Sequence, residues 1–569
     1  MDILPEPIPG FEPETLPWSA KDRDRELGLA RSREFDLIIL GGGITGAGLA
    51  REAALRRISF LLADKGDFAS GTSSRSSKLV HGGFRYLAQG EFRLVRQATR
   101  ERAWLRAALP NLVRPQGFHY CAYAGGPDTP LRVRAGILLY DLLAGALSPF
   151  RRAPRRFLSP AELAEREPAA DRVGLLMAGV FQDHLVDDAR LVLETLLEAR
   201  HASGGRSLAL NYLEAVAIGG APGDMTVALT DRLGGTGLQV RGRCVVNATG
   251  VWADRTLGLA GLASTLIHPS KGVHLVVPNA RVGNREAFVL RSLADGRSCF
   301  VLRRGEVSLI GTTDTDYPGD PDRPCCDPED CRYLLNVVNR VFPDARLTPD
   351  DVLATSAGIR PLLRGIPGAG EPSRRHAVLA SAPGIVTIAG GKLTTFRIMA
   401  WEGLARCSRL GYLRRLSGPE ARRDFSRRPY RDGVAWEPWL AAAARQGLDR
   451  LLPEAATRRL HQQYGRRALA ILREVRRDPP SGAPLLEGNP ACAAEILHIL
   501  RFENAPRLAD VMQRRTELQM EVGRRRQAEL AGRVVRVLAG YYGWSEERAG
   551  EELDGYLAGL RETVEPWRN

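Results

Sequence analysis

The segment FDLIILGGGITGAGLAREAALRRISFLLAD, residues 35–64, restricts the fold more than any other part of the chain. A short apolar run, a glycine turn, a helical stretch and a second apolar run follow one another in βαβ order. Gly41, Gly43 and Gly46 have the Gly-x-Gly-x-x-Gly spacing. At such a turn the first glycine permits the reversal and the second lets backbone approach a pyrophosphate. The third lets the helix pack on the strand. The helix N-terminus then offers amides and partial positive charge to phosphate. Asp64 ends the second run, where a carboxylate can bond a ribose hydroxyl. It favours a free 2′-hydroxyl, hence NAD or FAD over NADP, and the spacing leaves those two open.

Two later segments read as strands ending in glycine-bearing loops. CVVNATG closes on Ala248, Thr249 and Gly250, and GIVTIAGGKLTTFR runs through Gly391, Lys392, Leu393 and Thr394 into a helix start. In open α/β sheets ligands sit beyond the carboxyl ends of strands, so such ends far apart in sequence imply one extended ligand and an interrupted domain. The stretch GTSSRSSKLVHGGFRYL, residues 71–87, crowds hydroxyls, cations and a Gly-Gly pair without the spacing of a P-loop.

The chain has 569 residues, enough for two or three domains, with 44% hydrophobic and 26% charged residues, as in a folded globular protein. A net charge of +14 suits an anionic partner or reflects an arginine-rich composition. Basic residues are not interleaved with aromatics, which argues against nucleic acid. Eight cysteines make no disulfide scaffold, and Cys325, Cys326 and Cys331 lack metal-ligand spacing, so no metal is expected. The absence of any Cys-x-x-Cys pair disfavours a disulfide reductase. The proline-rich, acidic N-terminus lacks the pattern of a signal or transit peptide, and no apolar run is long enough to cross a bilayer. A cytoplasmic protein is expected. AGILLYDLLAGALSPF, residues 135–150, is apolar apart from Asp141, with arginines at both ends. An interfacial helix and a buried helix both fit that pattern, and the buried one is favoured.

The ordered set GGGITGAG, TSSRSSKLVHGGFRYL, VDDARL, NATGVWAD, KGVHLVVP, GTTDTDYPGDP, AGIRPLL and GGKLTTFR resembles the FAD-dependent glycerol-3-phosphate dehydrogenases, respiratory enzymes among the amino-acid-oxidase-like flavoproteins. The helical stretch AEILHILRFENAPRLADVMQRRT resembles that family's C-terminal domain. The resemblance implies an α/β chain with a discontinuous Rossmann-like FAD-binding domain, residues 34–113, 172–265 and 351–404. An antiparallel-sheet substrate domain, 114–171 and 266–350, is interleaved with it. An N-terminal tail, 1–33, precedes them and a helical C-terminal domain, 405–569, follows.

The implied reaction oxidises sn-glycerol 3-phosphate to dihydroxyacetone phosphate by hydride transfer from C2 to flavin N5, with electrons passed to quinone. Arg85 and Arg360 would grip the phosphate, joined by Tyr86. Thr313 and Asp314 would line the pocket unless they only shape a turn. His274, preferred slightly over His81, would take the C2 hydroxyl proton. Lys392 would set a cation beside the reduced flavin, helped by Gly391, Leu393 and Thr394. Thr72, Ser73, Ser74, Ser77, Lys78 and Leu79 would cradle the cofactor, with Gly82 and Gly83 approaching its ring and Ala215 beside the adenine.

Three departures stand out. Asp64 replaces an expected Glu, Phe396 an expected Tyr, and Arg303-Arg304 an expected Pro-Trp. If Arg303-Arg304 faces the pocket, a larger or more anionic substrate follows. Alternatives are an oxygen-using oxidase, a dehydrogenase for another 2-hydroxy phosphate or acid, and a catalytically silent flavoprotein that binds anions or lipid. Expected partners are glycerol 3-phosphate, quinone and the inner face of an anionic membrane, with a homodimer allowed.

Overall fold

The computed structural model describes residues 16–87, 90–126, 128–144, 157–293, 295–364 and 375–564. Its first sheet grows from the βαβ segment. Strand Glu34–Leu40 runs parallel between Phe60–Ala63 and Gly237–Asn247, and the latter pairs in parallel with Ile385–Gly390. The registers Leu40↔Ala63 and Leu40↔Asn247 bring these carboxyl ends to one edge. Their paired stretches, such as residues 37–40, 60–63, 244–246 and 385–386, are apolar because both faces are covered. Leu37 and Ile39 enter a core with Leu49, Leu196 and Phe396, while Ile38 and Leu40 enter another with Leu27, Met225 and Leu257.

The second sheet is mostly antiparallel. Ile267–Pro278 lies between Ala354–Leu363 and Val307–Gly311, and Arg114–Tyr123 pairs with Leu175–Leu185. Leu175–Leu185 and Ala354–Leu363 are thus in this sheet, although the bounds implied by the family resemblance group them with the FAD-binding segments. Their placement is set by ladders to distant strands, which local periodicity does not report. Leu79–Val80 pairs with the edge of Leu175–Leu185, so the sheet takes hold of the hydroxyl-rich stretch.

Residues 16–33, set apart in sequence as a tail, pack onto the body. Trp18 is fully buried, 5.2 Å from the Phe68 ring, and Arg23 pairs with Asp231 at 2.6 Å. Helix Phe396–Arg409 runs across the boundary expected at 404/405 and gives Met399, Leu404 and Cys407 to the core of the first sheet. The C-terminal core, from Trp439 to Tyr556, is built on helices including Ala468–Arg477, Ala493–Phe502 and Arg524–Tyr542. No disulfide is formed among the described residues.

Helix Pro130–Ala144 reconciles the two readings of its sequence. Val133, Ile137 and Tyr140 are buried, while Leu131, Leu138 and Leu142 on another face are 78%, 53% and 75% exposed. The rest of that stretch, 145–150, and the arginines at 151, 152, 155 and 156 lie outside the described residues.

Candidate active site

At the carboxyl edge of the parallel sheet lies a cavity of about 510 Å³. Gly41 has φ +104, and a Cβ there would fall 2.6 Å from the Ala248 carbonyl oxygen. A Cβ on Gly46 would fall 1.9 Å from the Gly41 carbonyl oxygen, so the turn closes only on glycine. Gly43 caps helix Ile44–Leu55, whose N-terminus faces the cavity through Ile44 and Thr45. Asp64, Thr72, Ser73, Ala215, Ala248, Thr249, Gly250, Gly391, Lys392 and Leu393 also line it. Backbone and helix amides therefore meet the cavity between a carboxylate, Asp64, and a cation, Lys392. That set fits FAD: amides for pyrophosphate, an acceptor for ribose and a cation beside the ring system.

Asp64 accepts from Gly42 N at 2.6 Å and Gly66 N at 2.8 Å, and burial pushes its carboxyl up to about 6. The short acid thereby holds the glycine turn itself. Ser73 Oγ accepts from Ile44 N at 3.0 Å, and Thr72 Oγ1 donates to the Ile359 carbonyl at 2.6 Å. Ser74 is not among the cavity-lining residues. Lys78 is turned into a buried ion pair with Asp188 and Glu517, and Leu79 is buried in a strand. Gly82 N donates to Asp183 Oδ1 at 3.1 Å, and a Cβ there would strike the Tyr140 hydroxyl. Gly83 is packed as closely against the Tyr86 ring.

The hydroxyl-rich stretch meets both other motifs. Toward GGKLTTFR, Lys392 Nζ sits 3.5 Å from the Tyr86 ring centre, and Thr394 Oγ1 lies 3.3 Å from both N and O of His81. Toward KGVHLVVP, Ser77 Oγ lies 2.9 Å from His274 Nε2. Arg85 has its backbone in the turn Phe84–Leu87; its side chain is outside the described part.

On the substrate sheet Ser270 is in register with Arg360, and Gly272 with Gly358. Arg360 lies across Gly272, donating to Asp314 Oδ1 at 2.8 Å, Thr312 Oγ1 at 2.7 Å and the Thr313 carbonyl at 2.9 Å. Thr313 Oγ1 accepts from Val273 N at 3.0 Å, a contact inside the sheet. A Cβ on Gly272 would fall 2.2 Å from Arg360 Nη2, and one on Gly358 would fall 2.7 Å from Arg75 Cβ. Burial first, then the charges of Arg360 and Lys78, push His274 down to about 3. The imidazole is therefore neutral and carries a lone pair at neutral pH.

Several residues escaped sequence analysis. Arg75 lines the cavity and donates to the Ala357 carbonyl at 3.3 Å; burial pushes its guanidinium down to about 10. Its signal was an arginine amid hydroxyls. Asp188 of VDDARL accepts from Ser76 N and Oγ at 3.1 and 2.7 Å, tying the stretch to a helix N-terminus. Pro321 and Asp322 reach the cavity rim from the substrate side, where Lys65 Nζ meets Asp322 Oδ1 at 2.6 Å and Arg255 meets Asp320 at 3.3 Å. Of the departures, Phe396 is buried against Gly48 in the core. Arg303 is exposed, and Arg304 pairs with Glu517 at 2.6 Å, away from the cavity lining.

Residues 36–397 match the FAD dependent oxidoreductase family, and residues 428–549 match the C-terminal domain of alpha-glycerophosphate oxidase. Over 538 residues the chain is 34% identical to glycerol-3-phosphate dehydrogenase 2 of Mycobacterium tuberculosis, covering 94% of this chain and 89% of that one. It is 37% identical over 357 residues to the alpha-glycerophosphate oxidase of Streptococcus pneumoniae, covering 62% and 58%. The glycerol-3-phosphate dehydrogenase from Bacillus halodurans, solved in complex with FAD, superposes with a TM-score of 0.76 at 29% identity, covering 96% of this chain and 98% of that one. With its glycine turn, its cavity and its C-terminal domain in place, the chain belongs to the FAD-dependent glycerol-3-phosphate dehydrogenase family, and its cofactor is FAD.

Proposed function

We propose that the protein oxidises sn-glycerol 3-phosphate to dihydroxyacetone phosphate and delivers the electrons to a quinone at a membrane surface. The observation that carries this reading is that Arg360 and His274 lie on one face of the substrate sheet, with Ser77 of the hydroxyl-rich stretch 2.9 Å from His274. FAD, when bound, supplies the hydride acceptor. Arg360, with Arg85, holds the phosphate, and Asp314 accepts from the same Arg360 guanidinium and orients it. Burial does most to depress His274 and the charge of Arg360 adds to it; a dianion beside Arg360 offsets that second part, which favours proton transfer from the C2 hydroxyl to the imidazole. Lys392 keeps a positive charge at the cavity wall, and Tyr86 beneath it fixes the ammonium.

Quinone as acceptor is supported by the exposed leucine face of helix Pro130–Ala144, flanked by Arg132 and Arg134. No helix among the described residues is long and apolar enough to cross a membrane. Oxygen as acceptor is the second reading, favoured by the likeness to an alpha-glycerophosphate oxidase. Anaerobic titration with glycerol 3-phosphate tests the substrate, and bleaching of the flavin is expected. Arg85→Ala and Arg360→Ala should retain flavin but need at least about tenfold more substrate. Bleaching of both variants at wild-type concentrations would refute the phosphate assignment. Stoichiometric peroxide in air would replace quinone by oxygen.

A further inference from the structure

The turn that sets Ser77 against His274 is held on one side by Asp188 and on the other by a residue of the C-terminal domain. Lys78, next in the chain, has φ +55, a left-handed backbone that a non-glycine residue keeps only where its surroundings over-determine it. Those surroundings are two carboxylates. Lys78 Nζ lies 2.5 Å from Asp188 Oδ1 and 2.5 Å from Glu517 Oε1, with all three side chains at most 5% exposed. Asp188 also binds Ser76 twice, so the residues on both sides of Ser77 are pinned. Glu517 comes from the C-terminal domain and is itself left-handed, with φ +56. Its other oxygen pairs with Arg304 from the substrate sheet at 2.6 Å. Oxygens of Asp187, Asp188 and Glu517 fall within 4.8 Å of one another, as in a cation site, but the Lys78 ammonium already stands between two of them.

The charged groups around Glu517 are Lys78, Arg304, Asp187 and Asp188, with Arg114 and Glu521 beyond. Despite burial, Arg304 and Lys78 hold the Glu517 carboxyl down to about 2, so it stays charged. His274 faces Ser77, Arg360 and Lys78.

We propose that Glu517 is a positioning residue for the oxidation: by holding Lys78 against Asp188 it sets the turn from which the Ser77 hydroxyl orients His274. The C-terminal domain thereby completes the substrate site without touching substrate. The inference rests on reading His274 as the base.

The test is rapid-mixing reduction of the holoenzyme by glycerol 3-phosphate without oxygen. Glu517→Gln should lower the limiting rate of flavin reduction about tenfold while the substrate dissociation constant stays within about twofold. Glu517→Asp should recover part of the rate. Ser77→Ala should show a comparable loss, and the double variant should be no slower than Ser77→Ala alone, because both changes act through one contact. Because Glu517→Gln leaves two buried cations less compensated, Glu517→Gln/Arg304→Gln is made alongside it, and the same loss is expected there. A wild-type limiting rate in either flavin-loaded Glu517→Gln variant, or losses that add with Ser77→Ala, would overturn the proposal. His274→Asn separates the two readings. If it reduces flavin at the wild-type rate, the base assignment fails. If it is slow while the flavin-loaded Glu517→Gln variants are fast, only the role of Glu517 fails.

Discussion

At Gly272 the absence of a side chain decides where Arg360 lies, because the guanidinium passes through the space a Cβ would fill. Gly272→Ala should push it off Thr312 and Asp314, raising KM for glycerol 3-phosphate roughly ten- to a hundredfold, as loss of one or two charged hydrogen bonds would. Flavin content should not change, since the cofactor cavity does not include Gly272; steady-state kinetics beside a flavin absorbance spectrum check both. Arg360 and His274 are singled out in sequence by their motifs, and the sheet register puts them on one face. Gly272 is not legible there, since its reason lies in a side chain on another strand. Lys78 looked like a cofactor cation for the same cause reversed: its carboxylate partners are distant in sequence and invisible to spacing.

Between elements, buried ion pairs join the C-terminal helices to the cofactor domain. Asp67, from the loop after the Asp64 strand, accepts from Arg514 Nε at 2.6 Å and from Arg515 Nη1 and Nη2 at 2.7 and 2.9 Å. Asp67→Asn should leave guanidiniums poorly compensated and cost about 3–5 kcal/mol, seen as a lower urea midpoint of the holoenzyme. Acid acts on the same seam. Despite burial, Arg190 and Arg467 hold Glu503 down to about 2. A depressed carboxyl stabilises the fold above its ordinary value near 4.5, and this contribution is lost as pH falls from there toward 2. The Asp67→Asn variant should therefore unfold nearer the upper end of that window. The helical character of this region was legible from its apolar spacing, but its start was not. Helix Phe396–Arg409 has the same composition as the helices beyond it, and only packing assigns it to the first core.

For the molecule as a whole, the proposed membrane contact falls on helix Pro130–Ala144, whose leucine face is exposed. Burial of a leucine side chain is worth about 1.5–3 kcal/mol, so Leu138→Glu/Leu142→Glu should reduce co-sedimentation with phosphatidylglycerol vesicles at least about tenfold. Activity in solution toward a water-soluble electron acceptor should be retained; unchanged sedimentation would remove this face from the membrane reading. The strand, turn and helix order of the cofactor domain could be read from the chain, as could the convergence of strand ends on one ligand. The roof over that ligand could not. Pro321 and Asp322, encoded far downstream of the glycine turn, close the rim through Lys65, and Asp320 of the same strap pairs with Arg255. A chain emerging from synthesis makes the glycine turn first, the rim at Pro321 and Asp322 next and the wall from Gly391 to Leu393 last. The cofactor cavity is therefore whole only when the segment encoded last has joined the one encoded first.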